Sequence, residues 1–290
     1  MPQSQFDLDT LKAIIVARFP ELAGSTFTLL SEGWDSVAVD VDDRLIFKFP
    51  RDPLAAEALR RESSILGVVG PAVAMRVTAL ELFEAPQLFS RHVKISGEHL
   101  LAAQYEQLGE AERQRMGEEL GLFYARLHAI PPEAAAAAGA LPVDAFLPAD
   151  AIRSRIAPVL PSALKPWAEG VLDQWAALTP DPYGTTYGFF DGHGWNMAFD
   201  HGLGQLNGVY DFADSGIGPL HQDFLYSSMI SPDLTERIIS AYEAITGRQI
   251  DRARVDLLTA VHRLWELAEE AHLPEHVPAL LASIEAWATR

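Results

Sequence analysis

The sequence predicts an α+β protein with two lobes: an N-terminal antiparallel β-sheet with one helix, followed by a larger and mostly helical lobe. Three short runs rich in β-branched and aromatic residues come early in the chain, and apolar residues at helical spacing dominate from residue 109 onwards. A chain of 290 residues is long enough to form about two such units, each with its own core. We place the boundary between residues 1–93 and 94–290.

The composition is that of an ordinary globular chain with a strong acidic excess. The 40 Asp and Glu residues outnumber the 22 Lys and Arg residues, so the formal net charge is −18. This balance argues against sequence-independent nucleic-acid binding, which needs basic patches, and is compatible with a cationic small-molecule substrate. The absence of cysteine excludes disulfides, thiolate metal sites and cysteine nucleophiles. Without a signal-peptide pattern or a long apolar run, we expect no membrane association and a cytoplasmic location.

The first lobe is predicted to begin with a helix and continue as a sheet. Residues 6–19 carry apolar side chains at helical spacing before Pro20, which indicates an amphipathic helix. Asp42 and Asp43 form a link short enough for a hairpin turn between two strand-like runs. The predicted strands are 27–30, 36–41, 44–49, 77–82 and 87–91, and a helix is predicted over 54–68.

Lys48 lies near the end of the third predicted strand, in the apolar setting Ile-Phe-Lys-Phe. Such a lysine is either a solvated surface residue or a buried cation with a partner, because an unpaired buried charge is strongly unfavourable. The helix that follows offers Glu62, and Glu57 is the competing partner. We expect Lys48 to pair with Glu62.

The second lobe is predicted to be mostly helical. A long amphipathic pattern covers 109–127, and His128 at its end is expected to be a structural histidine. Residues 151–178 indicate one or two helices, because three prolines interrupt the pattern. Five consecutive alanines within 133–139 indicate a linker or a short helix. The remaining predicted helices are 235–246, 253–270 and 277–289.

A polar cluster is predicted around a β-hairpin in the second lobe. Asp191 and Asn196 precede the apolar run 197–199, and Asp211 follows the run 208–210. Hairpin geometry should place Asn196 beside Asp211. Oxygen ligands suit a hard cation such as Mg²⁺, and Asp191 would face the same spot, where it could accept a proton from an incoming hydroxyl. A solvated turn is the alternative, since Asp, Asn and Gly favour turns for backbone reasons alone.

The segment 191–196 (Asp-Gly-His-Gly-Trp-Asn), followed by 211–214 (Asp-Phe-Ala-Asp), resembles the catalytic loop and metal-binding segment of the aminoglycoside phosphotransferase family. These are small-molecule kinases with a protein-kinase-like fold. The usual family loop reads His-Gly-Asp-x-His-x-x-Asn, and this chain has Phe189 and Phe190 in place of His-Gly. The resemblance implies that the first lobe binds nucleotide and that the second lobe carries catalysis and substrate binding.

The resemblance also implies a role for each matching residue. Asp191 would act as the base or orient the acceptor hydroxyl, and Asn196 and Asp211 would hold Mg²⁺. Lys48, oriented by Glu62, would neutralise phosphate oxygens of ATP or GTP. Catalysis would then consist mostly of positioning and charge stabilisation.

Other parts of the chain would complete the site. The loop that ends at Ser36 would cover the nucleotide, with an ordinary hairpin connection as the alternative. Backbone groups from Arg91 to Val93 would bind the base. Asp223 would anchor the catalytic loop from below, and His193 is expected to be a structural residue that bonds the loop backbone.

The resemblance places the acceptor on the C-terminal helices, where the family holds it with acidic and aromatic residues. Trp265 and Glu269 share one helical stripe that is suited to an amine-bearing sugar, although an acidic helix face is often only solvated. The predicted set is Trp265, Glu266, Glu269 and Glu270. We expect a small-molecule O-phosphotransferase, with an aminoglycoside as the first choice of acceptor. Choline, homoserine, methylthioribose and a macrolide are the alternatives.

Two other functions remain open. The first is a metal-dependent hydrolase with a two-metal site, which leaves Lys48 and Glu62 unexplained. Its candidate ligands are Asp191, His193, Asp211, Asp214, His221 and Asp223. The second is a protein that binds nucleotide without turnover, which the missing His-Gly suggests. The sequence leaves the oligomeric state and the choice between ATP and GTP open.

Overall fold

The structure is a computed structural model that describes residues 6–30 and 36–290. It confirms the predicted α+β architecture. Of the loop predicted to cover the nucleotide, residues 31–35 lie outside the described part of the chain, and Ser36 opens a strand. The elements of the first lobe are helix α1 (Leu8–Arg18), strands β1 (Phe27–Leu30), β2 (Ser36–Val41) and β3 (Leu45–Pro50), helix α2 (Pro53–Ala72), and strands β4 (Glu81–Phe83) and β5 (Phe89–Val93).

These five strands form one antiparallel sheet in the order β1-β2-β3-β5-β4. The predicted hairpin between β2 and β3 is confirmed. Asp42 and Asp43 both have positive φ, 59° and 54°, as the central residues of a type I′ turn require, and Arg44 N donates to Val41 O at 3.1 Å within the three-residue connection 42–44. The Asp42 side chain also accepts a hydrogen bond from the Thr26 backbone at 2.7 Å. Aspartate is among the few non-glycine residues that tolerate this conformation, so the turn falls on this pair.

The predicted strand over 77–82 is largely wrong, because β4 begins only at Glu81. The Leu80 carbonyl accepts a hydrogen bond from the Ser63 hydroxyl of α2 at 3.3 Å. The Arg76 carbonyl accepts a hydrogen bond from Val209 N of the second lobe at 3.0 Å, so the segment before Glu81 is bonded to α2 and to the second lobe at its two ends and joins the sheet later than its apolar pattern predicts. Strand β5 likewise lies two residues later than predicted.

The two faces of this sheet differ in chemistry. Phe47, Phe49 and Phe89 are fully buried in the core that the sheet forms with α1. Lys48 points to the opposite face, because successive strand residues alternate. Glu62 lies on the buried stripe of α2 and is 2% exposed. The sheet and α2 therefore bring one cation and one anion to the same side of the lobe.

The second lobe is mostly helical, as predicted. Pro158 and Pro161 lie between two helices, Pro166 lies in the first turn of the second helix, and the alanine-rich stretch forms a short helix. The elements are α3 (Ala102–Tyr105), α4 (Glu110–Leu127), α5 (Pro132–Ala137), α6 (Ala149–Ile156), α7 (Lys165–Ala177), β6 (Thr185–Gly188), β7 (Met197–Asp200), β8 (Gln205–Val209), β9 (Gly216–Pro219), α8 (Pro232–Thr246), α9 (Arg252–Glu270) and α10 (Val277–Ala288).

Two hairpin-like pairs position the polar segments of this lobe. Strand β7 pairs with β8, which confirms the predicted hairpin, and β6 pairs with β9. A 3₁₀ segment, Leu220–Met229, follows β9 and is almost wholly buried. The core beneath these strands includes Leu66 of α2 together with Leu120 and Tyr124 of α4. Helix α2 therefore packs in a core that contains residues of the second lobe.

The division at residue 93 coincides with the end of β5 and stays a prediction. Over residues 6–30 and 36–290, no helix has both the length and the apolar character that crossing a membrane would need.

Candidate active site

The loop between β6 and β7 is fixed from below by a buried carboxylate. Asp223 is fully buried and accepts hydrogen bonds from the backbone N–H groups of Phe189, at 3.0 Å, and Phe190, at 2.5 Å. Its Oδ2 also lies 2.9 Å from His128 Nε2, and His128 Nδ1 lies 3.0 Å from the Tyr242 hydroxyl. These contacts confirm that Asp223 anchors the loop and that His128 is structural. The partner Tyr242 was not predicted, because nothing in the local sequence points from α8 to α4.

Phe189 and Phe190 brace the loop with apolar contacts where the family pattern has His-Gly. Phe189 is buried, with its ring 4.7 Å from Phe212 and 5.9 Å from Phe123 between centroids. Phe190 has a φ of +53°, which explains why glycine is the usual residue at this position. Its side chain is 4% exposed and belongs to the core of the C-terminal helices. Burial of the ring and the bond to Asp223 offset the backbone strain.

Asp191 faces the space above the loop, and neighbouring side chains contact both of its carboxylate oxygens. Oδ1 lies 3.0 Å from His193 Nε2, and Oδ2 accepts a hydrogen bond from Asn196 Nδ2 at 2.5 Å. The Asp191 side chain is 22% exposed. The carboxylate is thus oriented by two donors while part of it remains open to solvent.

His193 acts on the carboxylate as well as on the loop. Its backbone N–H donates to Asp191 O at 2.9 Å, and its ring reaches the Asp191 side chain. Burial opposes protonation of the ring, but the hydrogen bond and the charge of Asp191 outweigh it and raise the pKa of His193. The sequence analysis predicted that the ring bonds the loop backbone. The structure instead places the ring Nε2 on the Asp191 carboxylate, and the bond to the loop backbone comes from the main-chain N–H of His193.

Asn196 and Asp211 meet at the ends of the hairpin strands, as predicted. The bond from Tyr210 N to Asn196 O, at 3.1 Å, joins the two ends. Asp211 has a φ of +67°, and its side chain is 46% exposed. The next residue, Phe212, donates its N–H to Glu62 Oε1 at 3.1 Å. An aspartate held in this conformation by its surroundings is typical of a functional segment.

Lys48 joins the two lobes through carboxylates. Its Nζ lies 3.6 Å from Glu62 Oε2 and 3.2 Å from Asp211 Oδ1. Burial alone would lower the pKa of Lys48, but the two carboxylates outweigh it and raise the pKa above its ordinary value. Glu57 is exposed, and the Lys48 side chain is only 19% exposed. Both alternatives for Lys48, a solvated cation and a pair with Glu57, are therefore wrong.

His92 is a titratable group that the sequence analysis missed beside this cluster. It is 8% exposed on β5, opposite Ile46, and therefore on the same face of the sheet as Lys48. Burial, and then the charge of Lys48, lower the pKa of His92 to about 3. The imidazole is therefore neutral in any physiological buffer.

The other residues predicted to bind nucleotide lie at different distances from the cluster. Ser36 is at the start of β2, two residues before Ala38, which is paired with Lys48. The Arg91 guanidinium lies 4.4 Å from the centre of the Phe19 ring, on the α1 side of the sheet. Val93 ends β5 and is 56% exposed. The structure therefore keeps the Arg91 side chain away from the cluster.

The four residues predicted to bind the acceptor lie on α9 and already have partners within the chain. Trp265 packs on Phe146 with ring centres 5.5 Å apart, and Glu266 lies 3.3 Å from His262. Glu269 pairs with Arg155 at 2.9 Å, and Glu270 pairs with His276 at 2.8 Å. An amine that bound to the carboxylates of this patch would have to displace Arg155, His262 and His276.

Tyr226 packs beside this patch and was missed by the sequence analysis. Burial raises the pKa of Tyr226, and the charge of Asp191 is among the further causes. The Tyr226 ring lies 5.3 Å from the His262 ring, which lies 5.4 Å from the Trp265 ring. A row of aromatic residues therefore runs from Tyr226 to the predicted acceptor patch, and its members Tyr226 and His262 are buried, at 9% and 5% exposed.

The ligands of the alternative two-metal site do not converge. His221 Nδ1 is 2.8 Å from Asp181, and His221 Nε2 accepts a hydrogen bond from Asp251 N at 3.1 Å. Asp223 is used beneath the loop. In the described ranges, no group of three or more His, Asp and Glu side chains is arranged to hold a metal ion. The geometry gives the hydrolase hypothesis no support.

Comparison with known proteins identifies a family for the chain. The model of the phosphotransferase enzyme family APH matches residues 26–258. No curated protein sequence is significantly similar to the chain.

Several solved structures share the fold at low identity. The GDP complex of wild-type aminoglycoside 2'-phosphotransferase-IIIa is 19% identical, covering 98% of this chain and 99% of that one, with a TM-score of 0.83. Macrolide 2'-phosphotransferase MphH from Brachybacterium faecium is 19% identical, covering 96% and 98%, with a TM-score of 0.69. The streptomycin-ATP-APH(2")-IIa ternary complex is 17% identical, covering 96% of each chain, with a TM-score of 0.64. The family model spans most of the sequence, and the protein therefore belongs to the APH phosphotransferase enzyme family.

Proposed function

We propose that the protein transfers the γ-phosphoryl group of ATP or GTP to a hydroxyl group of a small molecule. The observation that carries the proposal is the cluster of Lys48, Glu62 and Asp211, which joins a lysine of the first lobe to a carboxylate beside the catalytic loop of the second. A protonated lysine in this place is suited to neutralise phosphate oxygens. Glu62, buried and bonded to the Phe212 backbone, holds the lysine in position.

Asp191 would orient the acceptor hydroxyl and accept its proton. Its carboxylate is fixed by His193 and Asn196, so the oxygen that meets the hydroxyl needs little reorganisation. The raised pKa of His193 keeps a positive charge beside the carboxylate at mildly acidic pH. Release of the phosphorylated product would return the proton to solvent.

The donor set fits Mg²⁺. The Asn196 amide nitrogen is used by Asp191, which leaves the amide oxygen as the ligand atom, and Asp211 offers a carboxylate that is 46% exposed. Amide and carboxylate oxygens are the ligands that Mg²⁺ prefers, together with substrate phosphates. When bound, Mg²⁺ would neutralise charge on the phosphates.

An aminoglycoside remains the first choice of acceptor. The net charge of −18 favours a cationic substrate, and α9 carries the acidic and aromatic residues predicted to bind the acceptor. A macrolide is the strongest alternative, since structural neighbours include a macrolide 2'-phosphotransferase. Choline, homoserine and methylthioribose stay alternatives.

Nucleotide binding without turnover is the second candidate function. It is favoured by the apolar brace of Phe189 and Phe190, which replaces the usual His-Gly, and by the left-handed backbone of Phe190. Such a protein would keep Lys48, Asn196 and Asp211 for nucleotide but would fail to bring an acceptor to Asp191.

One assay separates these functions. The protein is incubated with MgATP or MgGTP and kanamycin, streptomycin, erythromycin, choline, homoserine or methylthioribose, and phosphorylated product is detected by mass spectrometry. Acceptor-dependent product in the wild type, and none in Asp191→Ala, supports phosphotransfer. Tight nucleotide binding with no product from any acceptor supports the binding protein, and failure to bind either nucleotide overturns both.

A further inference from the structure

Three aromatic side chains form a cluster at the edge of the proposed nucleotide site, and none of the three takes part in the proposed phosphoryl transfer. The indole ring of Trp195 lies 4.6 Å from the His99 ring, between centroids. The Tyr210 hydroxyl donates to Trp195 O at 2.9 Å and lies 3.1 Å from His99 Nδ1. We call these three residues the aromatic rim.

Trp195 is far more exposed to solvent than its neighbours in the loop. Its neighbours Gly194 and Asn196 are buried, whereas Trp195 is 51% exposed. The backbone of Trp195 and one face of its ring make contacts within the chain, and the rest of the ring is exposed to solvent. An exposed aromatic ring fixed in this way is typical of a surface that contacts a ligand. The rigid 3₁₀ turn Gly194–Asn196 fixes the direction in which the ring points.

The rim adjoins both proposed metal ligands. Trp195 directly precedes Asn196, and Tyr210 directly precedes Asp211. A nucleotide whose phosphates were bound at Asn196, Asp211 and Lys48 would therefore have its next group, the ribose, within reach of the rim.

The rim also adjoins the segment that links the lobes. Leu100 N donates to Gly194 O at 3.1 Å, and Glu98 is bridged to Phe199, so the chain around His99 runs beside the hairpin. Trp195 therefore lies beside the segment that links the lobes.

We propose that Trp195, positioned by His99 and Tyr210, packs against the ribose of the bound nucleotide and determines a substantial part of nucleotide affinity. The proposal rests on the proposed phosphotransferase function. A ribose presents a C–H face that an indole can cover and hydroxyl groups that can remain in water, so a half-exposed tryptophan matches its chemistry.

The test compares nucleotide binding by the wild type, Trp195→Ala and Trp195→Phe, using calorimetry with MgADP and MgGDP. Loss of the indole should weaken binding about tenfold, and phenylalanine should recover part of the loss. Leu203→Ala is the matched control, since Leu203 is an exposed apolar residue, 65% exposed, at the far end of the same hairpin. This control should bind as the wild type does. Inorganic tripolyphosphate with Mg²⁺, which has no ribose, should bind equally well to the wild type and Trp195→Ala.

The outcomes separate this proposal from the proposed function. Wild-type binding of nucleotide with equal binding by Trp195→Ala overturns the role of Trp195 and leaves the phosphotransferase intact. An equal loss of tripolyphosphate and nucleotide overturns the ribose contact in favour of a general disturbance of the loop. Absence of nucleotide binding in the wild type overturns both. If nucleotide binding is unchanged and only binding of kanamycin falls, the ring faces the acceptor and the proposal is wrong.

Tyr210→Phe provides a second measurement. It removes the hydroxyl that bridges Trp195 and His99 but keeps the ring. A positioning role predicts a loss of nucleotide affinity smaller than that of Trp195→Ala and no further loss when both changes are combined. Full additivity of the two losses would contradict positioning of the indole by Tyr210.

Discussion

Asp191 and Asp223 are two aspartates on the same loop system with opposite surroundings. Asp223 is fully buried and binds two backbone N–H groups and His128. Asp191 is 22% exposed and binds His193 and Asn196, two side chains of its own loop. The lower carboxylate fixes the loop, whereas the upper one is oriented by the loop.

The difference shows how the same side chain can serve structure or chemistry. A buried carboxylate with every oxygen used by fixed donors stabilises the fold, because removing it leaves those donors unpaired. A partly exposed carboxylate whose partners are two side chains of its own loop contributes less to stability and remains accessible to a substrate. Substitutions of the two should therefore separate activity from stability.

The largest expected effect is on activity at Asp191. Asp191→Ala removes the proposed base, and we expect transfer to fall by about 1,000-fold or more. Thermal unfolding should change little, and nucleotide affinity should fall by about threefold or less, because Lys48 and Asp211 keep their contact and only Asn196 loses its bond to Asp191. Transfer rates measured beside nucleotide binding check this. Residual activity above a few per cent of the wild type would assign the proton to another group.

At Asp223 the expected effect is on stability. Asp223→Ala leaves two buried N–H groups and His128 without their acceptor, so we expect a loss of about 3–5 kcal/mol in the free energy of unfolding. Urea unfolding measures the loss. Asp223→Asn keeps the shape and one acceptor, and it should lose less. An Asp223→Ala protein as stable as Asp191→Ala would contradict the contrast between the two carboxylates.

The cluster between the lobes should show coupling between its charges. Lys48→Met leaves Glu62 buried beside Asp211 without a cation, and we expect a loss of about 3 kcal/mol in unfolding free energy. The double variant Lys48→Met, Glu62→Gln removes both charges but keeps an acceptor for the Phe212 N–H, so it should recover most of that stability while binding nucleotide as weakly as the single variant. Urea unfolding and nucleotide calorimetry on the three proteins check this. Recovery of nucleotide binding in the double variant would argue against a phosphate contact by Lys48.

A smaller effect is expected at Phe190, where strain and burial oppose each other. Phe190→Gly relieves a left-handed phenylalanine but removes a ring that is 4% exposed, and the lost burial outweighs the gain by about 2 kcal/mol. Phe190→Ala loses the same burial and keeps the strain, so it should be the less stable of the two. Chemical denaturation compares them. The reverse order would show that strain at this position is negligible.

The smallest expected effect depends on pH and involves His193. Because its pKa is raised in the folded protein, the pair with Asp191 contributes stability that is fully present below the ordinary histidine pKa of about 6.5. That contribution is lost as the pH rises through the raised folded-state pKa. The stability difference between the wild type and His193→Gln should therefore shrink from about pH 5.5 to about pH 8.5, by about 1 kcal/mol or less. A difference that grows over this range would contradict the raised pKa.

Much of the fold and part of the site could be predicted from local patterns. The Asp42-Asp43 turn follows from backbone chemistry, and the hairpin from two apolar runs around a turn. That hairpin brings Asn196 to Asp211 in any packing of the rest. The predicted strand over 77–82 was largely wrong because its apolar pattern is local, whereas the Leu80 carbonyl is bonded to α2, which is distant in the sequence.

The amino-acid sequence by itself determined where most helices and strands lie and which polar residues stand at their ends. Periodicity and turn chemistry act over a few positions and therefore need no tertiary contacts. Only the tertiary structure decided the long-range partners. It paired His128 with Asp223 and Tyr242, turned the Arg91 side chain away from the cleft, and left Trp195 half exposed beside His99. Those choices depend on how whole helices and sheets pack, and side chains far apart in the chain become neighbours only when the core closes.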